Sequence, residues 1–589
     1  PMTIGGSFIV APIGRRTIFT VDDINEEQKE IARLAKEFAV EQILPRKKEI
    51  EQFNPELTRQ LMRELGELGM LSIDIPEAYD GLGLDKVTSA LVNEKIALSE
   101  SGSFMVTFSA HTGIATLPIV LFGTEEQKKK YLPKLGSGEW IGAYGLTEPG
   151  AGTDALAAKT TAVLSEDGKA YILNGTKQFI SNGGWCKTLI CYAKIDGEKF
   201  TGFIVNMDLP GVEVGPEEKK MGYKGSSTTS VVLNNVRVPV EDMLGIPGKG
   251  HHIAFNTLNI GRYKLGAAVL GASKAAIDES VKYALERRQF GQPIAYFDAI
   301  KSKFANMIVR TYDLESILYR TVGDIDQAIA QVDPKAENYY QQIVSAIETF
   351  ATEASMTKVF GTEAHWLTTD DGLQIFGGYG YTEEYPLAAM VRDTRVDRIF
   401  EGTNEINRQI ITGHFLKKAL TEELPIRAQI KQNERLLNGG RIELDTDILR
   451  DEKIALEYAK AITLYVFNES IIRYGQGLRH EQQLMEILAD MFTDVYVMDS
   501  VLARVSQYVE KNGYEPIRMH IAQIGTAQKT QRITANARTA LLAIEKNHEL
   551  DQALNDLEKL SRPMHLRLNL FELRRELADT LYEHGKYML

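Results

Sequence analysis

Between Trp140 and Gly250 the chain stops reading as helix, and this break constrains its fold more than any other feature. Turn signals at Asp167-Gly168, Asn174-Gly175, Asn182-Gly183-Gly184 and Asn234-Asn235 separate short β-rich runs such as Thr188 to Ala193 and Thr229 to Leu233. On both sides of this region apolar residues recur at helical spacing. Leu57, Leu61, Leu65 and Leu68 mark one helix before it, and Leu265, Ala268, Val269, Ala272, Ala276 and Ile277 mark one face after it. A chain of 589 residues exceeds a single core, so two to four domains are expected. The spacing predicts a mainly α protein with a central all-β domain. The expected division is a helical domain at 1–139, the β domain at 140–250 and a helical domain at 251–417. A polar connector at 418–448, with Pro425 and Gly439-Gly440, leads to a second helical unit at 449–589.

Within this frame, Gly102 to Pro118 is small and apolar and reads as a buried helix. Long helices are expected from Phe297 to about Asp333 and from Asn338 to Asp370. In the last unit Leu484, Leu488, Met491, Val495, Met498 and Leu502 form a stripe that reads as core packing. That unit shows no catalytic constellation. No apolar run is read as long enough to span a membrane. The opening stretch from Pro1 to Ile9 lacks a basic region and a long apolar core, so it is not expected to be a secretion signal. A net charge of −13 argues against a general nucleic-acid binder. Cys186 and Cys191 have no metal-type spacing and read as a reduced pair, which suits the cytoplasm.

Five stretches could carry chemistry. Phe400-Glu401-Gly402-Thr403 sets a carboxylate between an aromatic ring and a glycine, where desolvation would raise its pKa toward that of a useful base. A helix start with an acidic residue on its dipole is the competing reading. Tyr144 to Ala155 contains Thr147, Gly150, Gly152 and Thr153, a turn able to hydrogen-bond a planar, acceptor-rich ring. A plain β-turn competes there. Phe179 to Ser181 could wall a flat cofactor, or close a hairpin. Arg287 to Phe290, at a helix end, could bind phosphate or complement the dipole. Gln374 to Tyr381 carries Gly377-Gly378, which could admit a pyrophosphate or cap a helix. It is not the strand-borne dinucleotide fingerprint.

The order of these motifs resembles the acyl-CoA dehydrogenase family over roughly Asn25 to Phe415. The carrying residues are Leu146-Thr147-Glu148-Pro149-Gly150-Ala151-Gly152-Thr153-Asp154, Gln374-Ile375-Phe376-Gly377-Gly378-Tyr379-Gly380-Tyr381 and Phe400-Glu401-Gly402-Thr403-Asn404. Gly261-Arg262 and Glu286 to Gly291 support it. The added C-terminal unit looks like the very-long-chain branch. The fold implied is an N-terminal helical domain, a β-barrel or sandwich and a four-helix bundle, followed by the extra helical domain.

The resemblance implies FAD held by Tyr144, Leu146, Thr147, Gly152, Thr153, Phe179, Ser181, Thr403 and Glu405. Arg287, Phe290, Gln374, Gly377 and Gly378 would reach the ADP half from a neighbouring subunit. Thr153, Asn259, Arg262 and Gly402 would contact an acyl-CoA. Glu401 would be the base in α,β-dehydrogenation, with the β-hydrogen leaving as hydride to flavin N5. The flavin ribityl chain and the Glu401 N–H would hold the thioester carbonyl. Electrons would pass to an electron-transferring flavoprotein, and the assembly would be a homodimer, with a tetramer as the alternative. One family branch carries its base beside the helix arginine. Here that position is Gly261, which cannot serve. Ala389, Asp298 and Phe400 depart from the family's common Lys or Arg, Gln and Tyr. An acyl-CoA oxidase and a non-catalytic scaffold remain as competing functions, and no metal site is expected.

Overall fold

The computed structural model describes residues 3–589; Pro1 and Met2 lie outside it, so the opening stretch is met from Thr3 onward. Asn25 starts the first long helix, Glu26–Phe38, through a capping box. Its side chain accepts from Gln28 N at 2.8 Å, and Gln28 returns the contact to Asn25 N at 3.0 Å. In the helix Pro55–Glu67 the expected leucines Leu57, Leu61 and Leu65 are buried, while Leu68 at the C-cap is exposed.

The passage Gly102–Phe122 is helical throughout, with a π segment at Ala110–Ala115. It corrects the expectation that no apolar stretch reaches spanning length: its 21 residues pass that test by length and composition. However, 83% of its apolar window is buried inside the fold. It packs against the sheet and the longest helix of the chain.

The middle of the chain forms eight strands: β1 (Gly142–Gly145), β2 (Thr161–Leu164), β3 (Ala170–Ser181), β4 (Thr188–Ile195), β5 (Lys199–Asn206), β6 (Val212–Val214), β7 (Thr228–Pro239) and β8 (Met243–Leu244). They make one sheet in the order β6-β7-β3-β2-β4-β5-β8, with β1 lying beside β4. The pairs β1–β4 and β2–β4 are parallel, and the rest are antiparallel. Cys191 is buried in β4, and both cysteines are free thiols.

Four long helices follow: α1 (Gly250–Glu286), α2 (Asp298–Ala330), α3 (Ala351–Phe376) and α4 (Asn404–Leu420). The helix expected from Asn338 to Asp370 is two helices, Tyr339–Thr349 and α3, broken at Phe350 with φ −108° and ψ 23°. The N-terminal segment docks at this break. A Cβ on Gly5 would lie 2.0 Å from the Thr349 carbonyl oxygen, so only glycine fits there. The polar connector also holds a helix, Ile426–Leu437, in which only Ile426 and Leu436 are buried. So narrow an apolar stripe hides a helix within a polar composition.

The last unit is built on α5 (Arg450–Tyr474), α6 (Gln482–Asn512), α7 (Pro516–Ile544) and α8 (Leu570–His584). The stripe from Leu484 to Leu502 is buried, as its spacing predicts. Ion pairs join this unit to the bundle. Arg504 reaches Glu315 at 2.8 Å and Asp22 at 2.9 Å. Arg320 meets Asp499 at 2.7 Å, and Lys529 meets Asp313 at 2.6 Å. Removing one partner of such a buried pair costs about 3–5 kcal/mol, because the other charge is stranded. Residues before Asn25 form a strap over both units. Gly6 N donates to Glu353 at 3.0 Å, Ile13 N donates to Glu457 at 2.8 Å, and Ile18 exchanges two bonds with Gln507 at 2.9 Å each. Phe8 packs between Phe415 and Tyr496.

Candidate active site

A cavity of about 1310 Å³ opens between the sheet, the bundle and the passage that begins at Gly102. Glu401 lies in its wall. The chain leaves the short turn Arg395–Arg398, crosses Phe400, and enters the left-handed region at Glu401 (φ 57°) and Gly402 (φ 77°). A glutamate in that conformation is strained, so its surroundings must hold it. Thr403 then caps α4, its hydroxyl accepting from Ile406 N at 3.2 Å. The helix-start reading is therefore correct for Thr403, and Glu401 stands two residues outside the helix.

Side chains from three helices grip the loop. Arg262 of α1 donates to the Glu401 carbonyl at 3.1 Å. Lys358 of α3 donates to the Gly402 carbonyl at 2.8 Å and to Asn404 Oδ1 at 2.7 Å. Asn407 of α4 reaches the Gly402 and Thr403 carbonyls at 2.9 and 3.0 Å. Asn404 in turn donates to Thr362 at 3.0 Å and Glu363 at 3.1 Å.

The Glu401 carboxylate rests on Gly261. A Cβ at that glycine would sit 2.6 Å from Oε2 and 2.9 Å from the carboxyl carbon. The glycine is thus the floor on which the carboxylate lies. Oε2 is buried without a hydrogen-bond partner among the described residues. Burial pushes Glu401 up to about 7 from 4.5, against the opposing charges of Arg262 and Lys358. The Phe400 ring stacks on Tyr223 with centroids 6.5 Å apart, and Tyr223 donates to Asp397 at 2.6 Å.

The Thr147 turn lines the same cavity. Glu148 anchors it from behind through a buried pair with Lys177 at 2.7 Å and bonds from Lys159 N and Thr160. Thr147 O accepts from Gln178 N at 2.9 Å, which ties the turn to β3. The β3–β7 register slips between Lys177 and Ile180. There Phe179 takes φ 57° and stands clear of the sheet, 58% exposed, where a bulge re-aims a side chain. Gly152 has open space around it. The Tyr144 hydroxyl is buried, has no partner among the described residues, and is close enough to Glu401 and Arg262 to feel both charges. An exposed aromatic, an open glycine turn and an unused buried hydroxyl fit the planar, polar-edged ring of a flavin.

Tyr144, Leu146, Thr147, Gly152, Thr153, Phe179, Ser181, Asn259, Arg262, Glu401, Gly402 and Thr403 all line this one cavity. Glu405 does not; it is exposed on the first turn of α4. Arg287, Phe290, Gln374, Gly377 and Gly378 do not either. They gather on a separate surface, where the Arg287 guanidinium sits 5.3 Å from the Tyr379 ring and Phe290 is 94% exposed. Asp298 lies beside that surface and is held by Arg575 of α8 through bonds of 2.7 and 3.0 Å. Sequence reasoning missed the roles of Lys358, Asn407, Lys177 and Tyr223. Lys358 had one available signal: it falls at i, i+4, i+7 with Thr362 and His365, on the buried face of α3. Among the described residues no cluster of metal-ligating side chains occurs.

A buried carboxylate and an open glycine turn that suits a flavin, lining one cavity on a helical, β and helical frame, fit an oxidoreductase that works on carbon–hydrogen bonds. Comparison with known proteins sharpens this. The profiles of the acyl-CoA dehydrogenase N-terminal and middle domains match residues 25–139 and 143–236. Two profiles described as the C-terminal domain match 248–416 and 458–559. A "Probable acyl-CoA dehydrogenase" of Bacillus subtilis (strain 168) is 44% identical over 587 residues, 99% of this chain and 98% of that protein. The human "Very long-chain specific acyl-CoA dehydrogenase, mitochondrial" is 34% identical over 517 residues, 82% of this chain and 75% of its own length. A crystal structure of an acyl-CoA dehydrogenase complexed with FAD from Bacillus anthracis superposes with a TM-score of 0.97 at 44% identity, covering 100% of both chains. The chain belongs to the acyl-CoA dehydrogenase family, and it is an FAD-dependent enzyme that dehydrogenates acyl-CoA.

Proposed function

We propose that the enzyme introduces the C2–C3 double bond into long-chain fatty acyl-CoA thioesters, the first step of fatty acid β-oxidation, with Glu401 as the base. The enclosed Glu401 carries this reading: the residue lines the cavity, and its Oε2 is buried without a hydrogen-bond partner among the described residues. Glu401 takes the C2 proton, and its backbone N–H is the donor assigned to the thioester carbonyl, where charge develops. Thr147, Tyr144 and Phe179 would hold the isoalloxazine, and Arg262 and Asn259 would contact the acyl-CoA. FAD bound there supplies the acceptor for the hydride that leaves C3. The likeness to the very-long-chain enzymes supports a long acyl chain.

The test is anaerobic mixing of the holoenzyme with butyryl-, octanoyl- and palmitoyl-CoA, followed by flavin bleaching. Palmitoyl-CoA is expected to bleach it fastest; a preference for butyryl-CoA would overturn the chain-length assignment. The same assay should show an acidic limb. Glu401 acts only when ionised, so the rate is expected to fall as pH drops through about 7.

The exposed surface of Arg287, Phe290 and Gly377-Gly378 supports a homodimer in which each copy contacts the ADP half of the other's FAD. Arg287→Ala is expected to lower FAD content by more than tenfold on gel filtration while the thermal midpoint of the apoprotein stays put. Unchanged FAD content would count against the shared site. We assign the electron-transferring flavoprotein as acceptor. The free thiols Cys186 and Cys191 fit a reducing cytoplasm.

A further inference from the structure

Lys358 has no counterpart among the groups assigned to substrate or cofactor. It is fully buried in α3, an ordinary place for leucine and a costly one for an ammonium. Its two hydrogen bonds both go to the base loop, to the Gly402 carbonyl and to Asn404 Oδ1. No carboxylate lies within ion-pair distance of it among the described residues. The charge is therefore neutralised only at longer range, and Glu401 is the foremost acidic group that it feels.

We propose that Lys358 is a positioning residue for the base: its ammonium bridges the Gly402 carbonyl and the Asn404 side chain, fixes the left-handed loop that aims Glu401, and supplies a positive charge that favours the ionised carboxylate. The proposal rests on Glu401 being the base. The loop geometry requires such a clamp, because Glu401 and Gly402 both have positive φ and neither carbonyl is held by regular secondary structure. Arg262 holds the carbonyl of Glu401 and Lys358 holds the next one, so two cations from neighbouring helices grip consecutive peptide groups.

The groups facing this pair come from every packed element. Arg262 of α1 and Lys358 of α3 stabilise the carboxylate. Asp397 of the preceding turn and Glu363 of α3 stabilise the ammonium, while Arg262 opposes it. Tyr144 of β1 completes the shell. Burial pulls Lys358 down to about 7 and lifts Glu401 to about 7, while the charge of each favours the charged form of the other.

The test uses FAD-loaded Lys358→Met, Lys358→Gln and Lys358→Arg. Two readouts are needed: the pH dependence of flavin bleaching by palmitoyl-CoA, and the infrared carboxyl band of Glu401, isolated by difference against Glu401→Gln. In Lys358→Met the rate at neutral pH is expected to fall by roughly tenfold or more, and both titrations are expected to move up by roughly half a pH unit or more, with FAD content kept. Lys358→Gln, which keeps a donor without the charge, is expected to show the same upward move with a smaller loss of rate. Lys358→Arg is expected to hold both titrations in place. A rate loss with both titrations unmoved in Lys358→Met and Lys358→Gln would make Lys358 merely structural and overturn the proposal, as would wild-type behaviour throughout. An active Glu401→Gln enzyme would remove the parent reading instead. A silent one beside unmoved titrations removes only the role of Lys358.

Discussion

Glu401→Gln is expected to retain FAD and to lose at least ~10²–10⁴-fold of its rate of flavin bleaching by palmitoyl-CoA, the ordinary contribution of a positioned general base. The substitution is nearly isosteric, so the loop held by Arg262, Lys358 and Asn407 should stay in place. It also has a stability signature. Burial raises the folded-state pKa of Glu401 to about 7, above the ordinary 4.5 of an unfolded glutamate. Between those values the folded state binds the proton more tightly, so stability contributed by this group declines as pH rises through the window and the deficit persists above it. Glu401→Gln removes that cost. Its thermal midpoint should therefore exceed that of the wild type at pH 8, with the gap closing toward pH 4. Near-wild-type turnover, or a midpoint that falls at pH 8, would remove Glu401 from the role of buried base.

Gly261→Ala is expected to separate activity from stability in the same direction, by a different cause. Within a helix, alanine is favoured over glycine by about 1 kcal/mol. Here, however, the new methyl would meet Glu401 Oε2 at 2.6 Å, and no real Cβ tolerates that distance. The carboxylate is the movable partner, since the helix backbone of α1 is packed on both sides. A base displaced by about 1 Å can cost ~10²-fold in rate. The expected result is a folded, FAD-containing enzyme with a loss of that order and a thermal midpoint at or above that of the wild type. Retained activity in a folded Gly261→Ala would mean that the floor is not needed.

Much of this site was legible before any coordinate, and the reason differs from residue to residue. The Thr147 turn is local: proline, glycines and hydroxyls in one short stretch specify their own geometry. Glu401 is legible because its neighbours in sequence are also its neighbours in the loop. Lys358 was not legible as a partner of that loop because its acceptor lies 44 residues away; Asn407 sits only five residues from its acceptor, yet a backbone acceptor leaves no mark in composition. The same holds for Glu148 and Lys177, whose 2.7 Å pair joins residues 29 apart. At the level of fold, the broad alternation of helix and strand follows from periodicity. The break at Phe350 does not, since Gly5, docked from far along the chain, occupies the space beside it. The helix Ile426–Leu437 escaped because two buried positions make too faint a stripe.

The strap before Asn25 has a consequence for how the chain is made. Synthesis delivers these residues before the elements they dock on: Gly6 waits for Glu353, 347 residues later, and Ile18 waits for Gln507, 489 residues later. Asp22 likewise finds Arg518 only across 496 residues. Contacts so distant in sequence form late, after the nearer ones have closed the intervening chain. The catalytic bundle and the sheet between it and the N-terminal helices can therefore assemble during translation, while Phe8, Ile9 and Ile18 stay uncovered until α6 has left the ribosome. The strap is thus a late seam, and a chain truncated before α6 would emerge with that apolar edge open.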